Sequence, residues 1–140
     1  MSLKTTMVGL CVILSLLGLP TKGSTEASPT IKVLTLDDHL TQVFGEEAHL
    51  MKAIAMAESN LEVNQVSYNC RINGKNKPCR KRSLAWSSDC GLLQINVKGK
   101  SCPPHLLTIE GNLKEAKKIK DEQGLRAWAV YKSKRYKKYL

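Results

Sequence analysis

Glu58 is a carboxylate on a helix face that is otherwise apolar. Met51, Ile54, Ala55 and Glu58 fall at i, i+3, i+4 and i+7, so one helical stripe ends on a carboxyl group. Burying that charge without a partner is expensive, and the last helical turn carries the negative end of the helix dipole. Both effects push a carboxyl pKa upward, which lets the group keep a proton near neutrality. A protonated carboxyl in a cleft is what general acid catalysis needs to protonate a leaving oxygen. Two plainer arrangements fit the same pattern: an ion pair with a base such as Arg126, or rotation to solvent at a frayed helix end.

The text around Glu58 adds a second signal. Glu58-Ser59-Asn60-Leu61, then Asn64 and Ser67, is followed by Ser88-Asp89-Cys90-Gly91-Leu92-Leu93-Gln94-Ile95-Asn96. Taken together these two runs resemble the lysozyme-like superfamily, most of all the soluble lytic transglycosylase domain, with echoes of animal-type lysozymes. A fainter likeness continues through Asn112-Leu113 and Ala116-Lys117-Lys118-Ile119 to Ala127-Trp128-Ala129-Val130-Tyr131, and so covers most of the chain from about Leu50. The resemblance implies cleavage of the β-1,4 bond between N-acetylmuramic acid and N-acetylglucosamine in peptidoglycan, without cofactor or metal. It implies that Glu58 is the catalytic acid. It also implies substrate-binding roles for Ser67, Gly91, Gln94, Asn96 and Tyr131. Amides such as those of Gln94 and Asn96 both donate to and accept from sugar substituents. Gly91 sits where backbone must approach closely. Outside the resemblance, Gln94 reads equally as a strand-end side chain bonded to local backbone, and Tyr131 as helix packing.

Asp89 divides two chemistries. In animal-type lysozymes the residue two before the Gly of this motif is an aspartate that serves as the second carboxylate. A retaining hydrolase holds its two carboxyl groups about 5–5.5 Å apart, one as acid and one as nucleophile. Lytic transglycosylases use one Glu as acid and then base, and the sugar's own 6-hydroxyl closes a 1,6-anhydro ring. Asp89 permits hydrolysis without requiring it, since aspartate is also a common turn residue. The chain departs from the transglycosylase pattern in two places. Twenty residues separate Ser67 from Ser88, a longer interval than those domains have. Where they read Tyr-Asn-Ala-Gly, this chain reads Tyr131-Lys132-Ser133-Lys134.

The helices that must carry these groups are legible. Thr35 is placed to cap a first turn over Leu36–Leu40, and the Glu58 helix runs from about Glu46 to Ser59, its two leading glutamates suiting the positive helix end. A third helix runs from Asn112, with Leu113, Ala116 and Ile119 on one face and Gly124 as its stop. A further short helix from Leu125 carries Trp128 and Tyr131. Between them, Ser67 to Asn96 holds the hairpin-type turn Asn73-Gly74. The expected fold is α+β and mainly α: a lysozyme-like fold with a small antiparallel hairpin region, in one domain over residues 28–140.

Lys4 followed by the apolar block Met7–Leu19, 13 residues ended by Pro20, has the layout of a secretory signal peptide over residues 1–27, cleaved between 23 and 27. The alternative is an uncleaved anchor, although the block is shorter than the roughly 20 residues that span a bilayer. Export places the protein outside the cell or in the cell envelope. Cys11 leaves with the signal, and Cys70, Cys79, Cys90 and Cys102 remain, an even number in an oxidising compartment. Four cysteines allow three pairings, and Cys70–Cys79 with Cys90–Cys102 is preferred because it closes two short loops. A zinc site is disfavoured: there is no Cys-x2-Cys pair, and His105 completes no ligand set.

A formal charge of +10 with 42% hydrophobic residues describes a basic globular protein and excludes a disordered one. Lys114 to Leu140 holds ten Lys or Arg against three acids, and its tail interleaves Tyr131, Tyr136 and Tyr139 with five bases. Such a surface attracts polyanions within about 8–10 Å, or simply solvates a helix face. For an exported monomer the fitting partners are peptidoglycan glycan strands and an anionic wall or membrane surface. Specific nucleic-acid binding is not expected, and His39, His49 and His105 lack the spacing of a nuclease. The rival from another class is a cationic surface-binding protein on a catalytically idle scaffold. Reduction of the mature protein is expected to raise its mass by four hydrogens, two per bridge. Any other shift refutes two disulfides without a free thiol.

Overall fold

Thr35 opens the first helix with a reciprocal cap. Its Oγ1 accepts from the Asp38 amide at 3.2 Å, and the Asp38 carboxylate accepts from the Thr35 amide at 2.9 Å. This is seen in a computed structural model that describes Lys32–Leu140. The signal segment, its cleavage boundaries and Cys11 lie outside the described residues. Helix α1 spans Leu36–Phe44 and ends at Gly45, whose φ of +56° a residue with a side chain adopts only under strain. The second helix starts later than its acidic residues suggest. Gly45–Glu47 winds as a tight 3-10 turn, and α2 runs Ala48–Ser59. Glu47 forms an ion pair with Lys120 of α3, which spans Ile109–Gln123. Helix α3 begins three residues before Asn112, because the Thr108 hydroxyl accepts from the Gly111 amide and caps it there. Gly124 stops it as expected.

The segment after Gly124 is not one helix. Leu125–Ala127 is a 3-10 turn, Trp128 is extended, and α4 spans only Ala129–Lys132. That break turns the indole inward, where Nε1 donates to the Leu93 carbonyl at 3.0 Å. A further 3-10 turn, Arg135–Tyr139, closes the chain, with the Tyr131 and Tyr136 rings stacked 5.1 Å apart.

The sheet is larger than a hairpin. Strands β1 (Val66–Ile72), β2 (Lys75–Cys79), β3 (Ala85–Cys90) and β4 (Ile95–Lys98) form an antiparallel sheet in the order β2-β1-β3-β4. Asn73 and Gly74 join β1 to β2 with φ of 51° and 73°, the left-handed pair that a two-residue hairpin loop needs. With 53% of the described residues helical, the protein is mixed helix and sheet. The neighbour pairing of cysteines is the one present: Cys70–Cys79 ties β1 to β2, and Cys90–Cys102 ties β3 to the loop before α3. Two disulfides point to an oxidising compartment. No described helix is long and apolar enough to cross a membrane.

Leu40, Met51, Ile54, Leu92, Leu93, Leu113 and Val130 form the core where α1, α2 and α3 meet the turn between β3 and β4. That turn, Gly91–Gln94, is buried up to Leu93, so its polar backbone groups need protein partners. Asn112 makes three hydrogen bonds to the turn and the chain beside it. Its Nδ2 donates to the carbonyls of Cys90 and Leu106, and its Oδ1 accepts from the Leu93 amide, all within 2.9 Å. Asn112→Ala leaves all three unpaired and is expected to cost about 3 kcal/mol or more, measured by denaturant unfolding. A loss below 1 kcal/mol, with an unchanged m-value, would contradict that role.

Candidate active site

Glu58 occupies the last turn of α2, as its stripe requires, and is half-buried while Met51, Ile54 and Ala55 are fully enclosed. The helix stops immediately after it. Asn60 takes the left-handed conformation and Leu61 follows at φ 64°, an unfavourable setting for a branched side chain. Ser59 fixes the helix end from inside, its hydroxyl donating to the Leu92 carbonyl at 2.7 Å. The Glu-Ser pair thus does two jobs: one side chain faces a groove and the next bolts α2 to the buried turn.

The groove has a volume of about 490 Å³. Glu58 lies in it with Ser67 and Asn69 of β1, Asp89 of β3, and Gln94 and Asn96 at the start of β4. The opposite side is built from Ile119 and Gln123 of α3 and from Ala127, Trp128 and Ala129. Sheet register explains the polar side. Ser67 pairs with Asp89, and Asp89 with Asn96, so one rung presents three polar side chains on one face. The next rung pairs Asn69 with Ser87. Asp89 accepts on both oxygens, from Asn69 Nδ2 and from Asn96 Nδ2, each at 2.6 Å. Acceptance on both oxygens fixes the orientation of the Asp89 side chain. The Asn96 amide also reaches the buried Ser87 hydroxyl at 3.2 Å.

Burial pushes the Glu58 carboxyl above its ordinary value of 4.5. The Val130 backbone and, after it, the Arg135 guanidinium pull the other way, and the nearby Asp89 charge adds a further push upward. The partner expected from sequence, Arg126, is exposed and forms no ion pair with Glu58; Arg135 is the cation whose field reaches it.

No family model, curated protein or solved structure matches this chain. Its site rests on its own geometry.

Four of the expected site residues meet in the groove besides Glu58 itself: Ser67, Asp89, Gln94 and Asn96. Tyr131 stacks on Tyr136 and is absent from the lining. Gly91 is buried, and its close approach is to the Leu106 carbonyl and the Asn112 amide, not to the groove. Gln94 lines the groove at φ 47°, and its amide nitrogen donates to the carbonyls of Gly91 and Gln65. Its side-chain oxygen is the atom left to accept from a ligand. Sequence reasoning passed over Asn69, although period-2 spacing from Ser67 puts it on the same strand face. It also missed the structural tasks of Ser59, Asn112 and Trp128. Among the described residues no three His, Cys, Asp or Glu side chains are placed to share a metal ion.

The raised Glu58 pKa links the site to stability. A carboxyl that holds its proton more tightly when folded contributes most below the unfolded value, and that contribution is lost as pH rises through the folded value. Glu58→Gln removes the titration. The variant is expected to melt above the native protein at neutral pH and close to it well below pH 4.5. A variant that melts lower at neutral pH would show that the charge is held by a favourable partner.

Proposed function

We propose that the protein is a peptidoglycan-cleaving glycosidase with a lysozyme-like fold and Glu58 as its general acid. One observation carries the reading: a half-buried carboxyl of raised pKa shares a groove lined with hydrogen-bonding side chains with a second carboxyl group held by two amides. Two carboxyl groups whose surroundings separate their protonation states are the usual division of labour in glycoside cleavage. The substrate is a glycan strand of alternating N-acetylmuramic acid and N-acetylglucosamine. Ser67, Asn69, Gln94 and Asn96 supply donors and acceptors that suit its acetamido and hydroxyl groups.

Protonated Glu58 gives its proton to the glycosidic oxygen as the bond to the muramic acid C1 breaks. Positive charge develops at C1 and the ring oxygen, and the Asp89 carboxylate stabilises it from the sheet side. The Glu58 carboxylate then becomes the base. It accepts a proton either from water, which completes hydrolysis, or from the sugar's 6-hydroxyl, which closes the anhydro ring. Asp89 held by two amides serves either route as a fixed negative charge, and serves hydrolysis also as a nucleophile if one hydrogen bond is released.

Glu58→Gln is expected to lower release of soluble fragments from purified sacculi by about 10²-fold or more, with the fold intact by circular dichroism. Activity of the native protein falls as pH rises through the Glu58 pKa, because the acid must start protonated. Mass spectrometry of the fragments separates the two routes by reducing or anhydro ends. Cleavage that survives Glu58→Gln ends the proposal.

A further inference from the structure

The β1–β2 hairpin beyond Cys70 and the segment that leads into β3 have no part in the reading above. The strand register shifts between Asn69 and Cys70, so the β1–β2 hairpin continues past a bulge. Val66–Asn69 faces the groove region, while Cys70–Ile72 leads to the hairpin loop. Near that loop three large apolar side chains are exposed: Leu84 at 65%, Trp86 at 50% and Ile72 at 43%. Cys70 pairs with Ala85, which places all three within two residues of one cross-strand pair.

Around them the charge has one sign. From Arg71 to Trp86 the chain holds six bases, Arg71, Lys75, Lys77, Arg80, Lys81 and Arg82, and no acid. The Arg71 guanidinium lies over the Trp86 ring, 5.2 Å from its centroid. The tip is also held in place. Cys70–Cys79 staples the hairpin, Arg82 donates to the Lys100 carbonyl and to the Ser101 hydroxyl, and Lys100 Nζ donates to the Ser83 carbonyl. Exposed apolar groups on a flexible loop would lose entropy on docking; on a stapled tip that loss is already met in folding.

We propose that this tip docks on a bilayer surface rich in anionic headgroups, with Trp86 and Leu84 entering the interface and the bases contacting phosphates. An indole with a cation beside it belongs at headgroup level, where one side is apolar and the other wet. Bases near such a surface act together, and removal of three weakens binding on the order of 100-fold. A soluble polyanion would satisfy the bases but gives no reason for the exposed Trp86 and Leu84 beside them. The proposal stands apart from the glycosidase reading, since the groove residues Glu58 and Asp89 take no part in it.

Trp86 reports on its own contact, because Trp128, the other tryptophan, is buried and the apolar stretch Met7–Leu19 contains none. The full chain is titrated with vesicles of phosphatidylglycerol and phosphatidylcholine, with pure phosphatidylcholine vesicles, and with polyglutamate. A blue shift of tryptophan emission with the anionic vesicles alone is expected. The shift disappears in Trp86→Phe, and co-sedimentation weakens on the order of 100-fold when Lys75, Arg80 and Lys81 are all replaced by Ser. Leu84→Ser and Trp86→Ser together reduce vesicle binding while the fold is retained by circular dichroism. An unshifted emission, or an equal shift with neutral vesicles, overturns the proposal. Equal binding of polyglutamate and anionic vesicles, unaffected by the Leu84 and Trp86 changes, makes the tip a polyelectrolyte site and overturns it too.

Discussion

The structure depends on satisfying the backbone of one buried turn. Cys90 to Leu93 runs through the centre of the core, where an unpaired amide or carbonyl would cost about 1–3 kcal/mol. Strand pairing serves Cys90 and backbone bonds to Gln65 and Gln94 serve Gly91, and side chains from three other elements do the remaining pairing. Ser59 from α2 takes the Leu92 carbonyl, Asn112 from α3 takes the Cys90 carbonyl and the Leu93 amide, and Trp128 takes the Leu93 carbonyl. Each bond also fixes the element that provides it. The end of α2, the start of α3 and the segment before α4 are thereby held against the sheet, and the groove is the space left between them.

That arrangement sets the electrostatics of the site. Ser59 cannot hold α2 without placing Glu58 one residue earlier, at the rim of the core, where part of its hydration is lost. Burial raises the energy of the ionised form, and the Val130 backbone and Arg135 recover only part of it. Asp89 has the opposite setting: two amides on a rigid rung replace the water it gives up. The two carboxyl groups differ in setting: one loses water at a helix end, and the other is held by amides on a sheet. The strained backbone at Leu61 and Gln94 lies at the same two places, where a relaxed chain would not present these side chains.

Local signals in the sequence carried much of this. The cap at Thr35, the stop at Gly124, the Asn73-Gly74 turn and the stripe ending at Glu58 each depend on residues within one or two turns of one another. The cysteine pairing also closes short loops, of 9 and 12 residues' separation. The expectations that did not fit the structure depended on longer reach. The helix from Leu125 is interrupted because Trp128 turns to a carbonyl 35 residues away in sequence. Gly91 was read as a close approach to a ligand, whereas the chain that approaches it is the protein's own, at Leu106 and Asn112.

The amino-acid sequence by itself determined the cap at Thr35, the stop at Gly124, which cysteines are neighbours, and that one carboxylate sits on an apolar stripe. Those properties follow from helical and strand periods, which act over a few residues. Only the tertiary structure decided that Asn69 and Asn96 hold Asp89, that Tyr131 stays outside the groove, and that the apolar residues of the hairpin tip collect at one end. These depend on strand register and on which distant side chain satisfies a buried backbone group. Pairing of that kind is selected by the whole packed chain, because each buried polar atom must find a partner once water is excluded.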